Sequence, residues 1–131
     1  MLLDTSGLLC YFDRRDPRHE EAGLLFDTSP TLLTHSYILA EFIPLCHSRR
    51  LDSGEAIGFS LRLLGNRDIE VVWVDDDLHR AALALLQARS DKDYSLCDAV
   101  SFVLMRARGL HDALTTDHHF EQEGFVRLLE R

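Results

Sequence analysis

Four acidic residues fall where chemistry could use them: Asp4, Glu41, Asp98 and Asp117. Asp4 ends the opening apolar run Met1-Leu2-Leu3, and Asp117 ends the run Ala113-Leu114-Thr115-Thr116. Asp98 heads a long apolar stretch, and Glu41 lies inside another, Leu39-Ala40-Glu41-Phe42-Ile43. A carboxylate within an apolar stretch is costly to bury without a partner, and a divalent cation or its water would serve as one. Oxygen donors of this kind suit the hard cation Mg2+, with Mn2+ as the alternative. At a phosphodiester such a cation generates hydroxide from water, orients it in line and neutralises charge in the transition state. Without the cation, clustered carboxylates repel and some of their pKa values rise. Metal binding should therefore weaken at low pH.

Each acid also has a plainer reading. Asp4 can cap a following helix, and Asp117 can be a turn residue. Ser95-x-x-Asp98 has the spacing of a capping box, with Asp in place of Glu or Gln. A cap and a metal ligand are compatible roles there, because the positive end of a helix favours an ionised carboxylate. Asp75–Asp77 reads as a solvated helix cap, and Asp91 and Asp93 as loop acids, Asp93 being near enough to approach a metal. His118 and His119 adjoin Asp117 and are either surface histidines or metal or general-base groups. Arg14, Arg15, Arg18, Arg49 and Arg50 are either solvated or placed to touch phosphates. Trp73 reads as core.

Positioning these groups requires short strands alternating with helices. Strands are expected at Leu2–Asp4, Thr31–Thr34, Ile69–Val74, Ala113–Thr116 and Phe125–Leu129. Helices are expected over Ser6–Phe12, from Asp16-Pro17 to about Phe26, and from Ser36 to about Arg50, the last kinked or split by Pro44. Three more run from Asp52-Ser53 to Leu64, from Asp75–Asp77 onward, and from Ser95 to Arg108 with Gly109 as the stop. Strands separated by helices make a mainly parallel sheet covered on both faces, a three-layer α/β/α sandwich over residues 1–131 as a single domain. In a parallel sheet the C-terminal strand ends share one edge, where ligands bind at the point of reversed strand order. Asp4 and Asp117 are expected to converge there.

Composition narrows the class. With 131 residues, 46% hydrophobic and 27% charged, the chain can bury a core without staples. No apolar run is long enough for a membrane span, and the N-terminus lacks a signal-peptide pattern. Cys10, Cys46 and Cys97 form no Cys-x-x-Cys pair, so buried reduced thiols in a cytoplasmic protein are expected. The formal net charge of −8 argues against holding nucleic acid by bulk electrostatics. It leaves room for a nucleic-acid enzyme, because metal-binding carboxylates add negative charge that bound cations cancel.

At these residues the chain resembles PIN domains, and most closely the VapC-like toxins of toxin–antitoxin pairs. The resemblance rests on Leu3-Asp4-Thr5-Ser6, on Leu39-Ala40-Glu41, on Tyr94-Ser95-Leu96-Cys97-Asp98-Ala99-Val100-Ser101-Phe102, and on Leu114-Thr115-Thr116-Asp117-His118-His119-Phe120 with Gly124-Phe125 after it. It implies a five-stranded parallel sheet and a metal-dependent endoribonuclease whose acids map to Asp4, Glu41, Asp98 and Asp117. Ser6 and Thr116 match positions where a hydroxyl supports the acids. It further implies an RNA substrate, a homodimer and an inhibitory antitoxin partner.

Two other classes compete. A phosphatase with Asp4 as nucleophile would want a second acid two residues on, where Ser6 stands. A PIN-like scaffold without activity, serving binding or regulation, would not need all four acids.

Overall fold

Leu2 and Leu3, the first apolar pair of the chain, form the central strand of a parallel sheet in this computed structural model, which describes residues 1–130. Arg131, the last residue of the expected domain, lies outside them. The element order is β1 (Leu2–Leu3), α1 (Thr5–Phe12), α2 (His19–Thr28), β2 (Leu32–His35), α3 (Ser36–Ser48), α4 (Ser53–Gly65), β3 (Ile69–Val72), α5 (Asp76–Ala88), α6 (Leu96–Arg108), β4 (Asp112–Leu114), α7 (His119–Gln122) and β5 (Val126–Arg127). The strands order as β3-β2-β1-β4-β5, and every pairing is parallel. The chain builds β1, β2 and β3 toward one edge, then crosses back to lay β4 and β5 on the other. The reversal falls between β1 and β4, which makes their C-terminal ends the expected ligand crevice.

Leu2, Leu3, Leu33, Ala113 and Leu114 on the central strands are fully or almost fully buried, as strands covered on both faces must be. One group of helices packs α1 on α2 and α3, and α3 on α4; in the other, α5 lies along α6 and α6 meets α7. These two groups and the sheet make the α/β/α sandwich. Phe102 and Phe120 sit edge to face at 5.0 Å, joining α6 to α7. Gly7 is what lets α1 come down on β4: a Cβ there would stand 1.9 Å from the Leu114 carbonyl oxygen.

Several elements differ from expectation for identifiable reasons. The second helix starts at His19, not at Asp16-Pro17, because Asp16 spends its carboxylate on Arg18, accepting from its backbone N–H at 2.8 Å and its Nε at 3.0 Å. Pro44 neither splits nor ends its helix, which runs unbroken from Ser36 to Ser48. His35 is that helix's N-cap, its Nδ1 accepting from the Ile38 N–H; the Ser36 hydroxyl instead accepts from the Val74 N–H. Trp73 is not core. It follows the last residue of β3, an edge strand with nothing beyond it, and is 65% exposed. Cys10, Cys46 and Cys97 are free and buried. Among the described residues, no helix is long and apolar enough to cross a membrane.

Candidate active site

The register of the central strands sets the site. Leu3 pairs with Leu114, so the next residues, Asp4 and Thr115, leave the sheet side by side. The Asp4 N–H donates to the Leu114 carbonyl at 3.2 Å. Asp4 stands at the N-cap position of α1, yet its side chain makes no cap hydrogen bond. Its Oδ2 instead accepts from the Thr115 hydroxyl at 2.7 Å and, at 3.4 Å, from Ser6. The capping alternative therefore does not account for this side chain.

Asp98 does form the capping box. Its Oδ2 accepts from the Ser95 N–H at 3.1 Å, while the Ser95 hydroxyl accepts from the Asp98 N–H at 3.0 Å. That pairing fixes the carboxylate over the first turn of α6, in the pocket and close enough to the Asp4 carboxylate to repel it. Asp117 takes the turn role as well: its Oδ1 accepts from the His119 N–H at 2.9 Å. Glu41 is exposed rather than buried, so the cost of burying it does not arise; its Oε1 accepts from the Thr5 hydroxyl at 3.1 Å.

These four acids line one pocket of about 710 Å3, together with Thr5, Ser6, Ala40, Pro44, Ser95 and His119. Asp93 lines it too, as an exposed group. Pro44 has no N–H to give the Ala40 carbonyl one turn earlier, within a pocket-lining stretch. A larger groove, about 1170 Å3, runs along the end of α1, α2 and the start of α4. It holds none of the four acids, and its own Asp13 and Asp52 are engaged with Arg15 and with the first turn of α4.

Ser6 and Thr115 form the supporting hydroxyl pair, 3.1 Å apart. Thr115 gives its only proton to Asp4, so the single Ser6 proton is left to the shorter contact with Thr115 or the longer one with Asp4. Thr115 also accepts from the Asp117 N–H at 3.0 Å, and Ser6 accepts from the Thr116 N–H at 3.0 Å. The expected role of Thr116 is thus corrected. Its backbone takes part, but the hydroxyl that holds Asp4 belongs to Thr115, the neighbour that strand register places beside Asp4. Two threonines in a row hid which one faces inward. Thr5 stood within Leu3-Asp4-Thr5-Ser6 without a role, although its place on the first turn of α1 turns its hydroxyl to Glu41 on α3.

Electrostatics mark the site as an unneutralised acid cluster. Burial pushes Asp4 from 3.8 up to about 7, and repulsion from Asp98 and Asp117 adds to this, against the Thr115 hydrogen bond. Burial also raises Asp98, with repulsion from Asp117, partly offset by the Ser95 N–H. One oxygen of each of the four carboxylates is held by a protein donor, and the Thr5 N–H and the Cys97 thiol lie beside Asp4 and Glu41 as further donors. Carboxylate oxygens with lone pairs to spare, in a cluster that resists ionisation, fit a divalent cation. The four acids do not close as tightly as a fully protein-made cage. Among the described residues, the one trio whose ligand atoms all lie within 4.8 Å is Asp117, His118 and His119. The wider spacing of the carboxylates suits Mg2+-type ions, which keep several waters and take one or two carboxylates directly.

A parallel sheet with its crevice at the β1–β4 reversal, edged by carboxylates from four separate elements, defines a layered α/β protein with an acidic metal-type pocket. Residues 1–125 match the PIN domain, and the chain belongs to the PIN-domain family. It is similar to the 23S rRNA-specific endonuclease VapC20 of Mycobacterium tuberculosis, strains CDC 1551 / Oshkosh and H37Rv. The identity is 29% over 129 residues, covering 98% of this chain and 97% of VapC20. The crystal structure of Mycobacterium tuberculosis VapC20, described as a sarcin-ricin loop cleaving toxin, matches with a TM-score of 0.87 at 28% identity, over 99% of this chain and 98% of that one.

Proposed function

We propose that this chain is a divalent-metal-dependent endoribonuclease and the toxin of a toxin–antitoxin pair. The observation that carries the reading is the set of four carboxylates around one pocket, each with one oxygen held by a protein donor. Membership of the PIN-domain family and similarity to an rRNA-cleaving toxin along nearly the whole chain support RNA as the substrate.

Asp4, Asp98 and Asp117, with Glu41 directly or through water, would hold Mg2+ or Mn2+. The ion supplies a water-derived nucleophile at neutral pH and offsets charge at phosphorus. The protein's own part is positional. Thr115 and Ser6 hold Asp4, the Ser95 N–H holds Asp98, and the His119 N–H holds Asp117, so the carboxylates keep their places without rearrangement. Thr5 tethers the otherwise exposed Glu41 to α1. Water oxygen bonds to phosphorus as the bond to the 3′ oxygen breaks, leaving a 5′-phosphate and, after that oxygen takes up a proton, a 3′-hydroxyl.

The family's usual arrangement supports a homodimer held in check by an antitoxin partner, as the sequence also implied. Cleavage of RNA with and without Mg2+ or Mn2+ tests the central claim. Asp98→Asn, folded by circular dichroism, should lose activity by more than about 100-fold, beyond the range typical of outer partners. A folded Asp98→Asn that cuts RNA at the normal rate refutes the assignment.

A further inference from the structure

One ring nitrogen of His119 is buried among carboxylates without an aligned hydrogen bond. Its Nδ1 is shut off from solvent and makes no hydrogen bond. It lies 3.2 Å from Asp117 Oδ1 and 3.4 Å from Asp98 Oδ2, between two of the acids assigned above to the metal. The Asp117 oxygen is already used by the His119 backbone N–H, and the Asp98 oxygen by the Ser95 N–H. The ring is held in place: it is 19% exposed, and Tyr94 packs edge-on at 5.4 Å. His119 begins α7 directly after the Asp117 turn, so backbone and ring are anchored by the same residues. Sealing a polar nitrogen without a partner costs free energy, which implies that something absent from the protein's own groups completes it.

We propose, on the reading of this pocket as a metal centre, that His119 Nδ1 is a metal ligand, and that it biases the centre toward first-row transition ions over Mg2+. The chemistry follows from the donor set. Carboxylates and waters alone suit Mg2+, whereas an imidazole nitrogen favours transition ions. Of Asp117, His118 and His119, whose ligand atoms lie within 4.8 Å of one another, Asp117 and His119 line the pocket. The rival explanation is a protonated His119 acting as counter-ion to Asp98 and Asp117. Both contacts, 3.4 and 3.2 Å, are short enough for that ion pair but lack hydrogen-bond alignment, and nitrogen coupling to a bound ion separates the two.

The test uses Mn2+ as the probe on the full chain, with pulsed electron paramagnetic resonance to detect 14N coupling and calorimetry to measure affinity. Mn2+ bound to the unaltered protein should show coupling to one imidazole nitrogen. His119→Phe keeps a ring against Tyr94 and removes both nitrogens. It should abolish the coupling and weaken Mn2+ binding by about tenfold or more, while Mg2+ binding changes by less than about twofold. His119→Gln gives the same comparison should the phenylalanine variant fail to fold. Mn2+ that binds without nitrogen coupling, or coupling that survives in both His119 variants and vanishes in His118→Gln, overturns the assignment of His119 and leaves the metal centre standing. Failure of the unaltered protein to bind Mn2+ or Mg2+ at neutral pH overturns both.

Discussion

Stripping divalent cations from this protein should expose the cost of Asp4, and the cost should grow with pH. The folded Asp4 takes up its proton near pH 7 rather than at 3.8. Between those limits the folded state binds more protons than the unfolded one, so metal-free stability falls as the pH rises. At about 1.4 kcal/mol per pH unit, the interval amounts to about 4 kcal/mol, fully present at pH 8 and absent below pH 4. The raised Asp98 acts in the same direction. His35 acts in the opposite one. Buried and neutral, it is pushed from 6.5 down to about 4, which adds stability as the pH rises through that window. Its contribution, about 3 kcal/mol by the same conversion, nearly hides that of Asp4 in a single pH profile. The informative quantity is the difference between the protein and Asp4→Asn, in which His35 cancels. Asparagine keeps an acceptor for the Thr115 hydroxyl and carries no charge. Urea unfolding in chelator from pH 4 to pH 8 should show the variant gaining on the parent by about 4 kcal/mol across the range. Saturating Mn2+ should erase the gap at pH 8 by stabilising the parent alone. A difference that stays flat from pH 4 to pH 8 refutes the claim that Asp4 is an unneutralised buried acid.

Thr115→Val should weaken Mn2+ binding by about 10–100-fold in calorimetry, whereas Thr116→Val, which leaves the backbone contact to Ser6 intact, should bind as the parent does. Gly7→Ala should destabilise the fold by at least about 1–3 kcal/mol in urea, because its methyl group would overlap the Leu114 carbonyl, and unchanged stability would mean that α1 does not sit on β4 so closely. Glu123→Ala should cost about 2–3 kcal/mol and raise hydrogen exchange in α7. Burial alone would push that carboxyl up, but hydrogen bonds from Arg89 and Arg106 hold it below its usual value, and Tyr94 donates to it as well. Half-exposed arginines can re-solvate, so the loss should stay at the lower end, and an unchanged exchange pattern would refute the coupling of α7 to α6 through this residue.

Asp4, Asp98 and Asp117 were legible because each marks a boundary between an apolar run and something else, and Glu41 because it interrupts one. Apolar runs dictate strands and buried helices, and strand ends in a parallel sheet share an edge. Ser95-x-x-Asp98 was legible for the same local reason, and both halves of its capping box form. What escaped was set by tertiary register. Whether Thr115 or Thr116 faces Asp4 depends on the Leu3–Leu114 pairing, and a slip of one residue exchanges them. Trp73 was misread because β-branched and aromatic composition does not reveal that a strand lies at the sheet's edge. Pro44 was overread: local chemistry forbids one hydrogen bond there, but packing of Phe42 and Cys46 on the core keeps the helix whole. His118 and His119 both stood out beside Asp117 as candidate metal or general-base groups, but nothing local separated one from the other. Only the turn at Asp117 brings the His119 ring nitrogen within reach of Asp98, a residue 21 positions earlier.

The net charge of −8 also takes on a different meaning once the acids have places. Spread evenly, it would repel a phosphate backbone along its whole length. Here much of what matters near a substrate is gathered at the β1–β4 crevice, where divalent cations would invert the local sign. An RNA strand would then meet a site whose attraction depends on loaded metal rather than on surface arginines. Chelation should therefore reduce RNA binding as well as cleavage. In fluorescence anisotropy with a non-cleaved, phosphorothioate RNA, Mn2+ should tighten binding to the parent and leave an Asp4→Asn, Asp98→Asn double variant unaffected. Equal affinity with and without metal would show that RNA is gripped elsewhere, with the larger arginine-bearing groove along α1, α2 and α4 as the surface to examine.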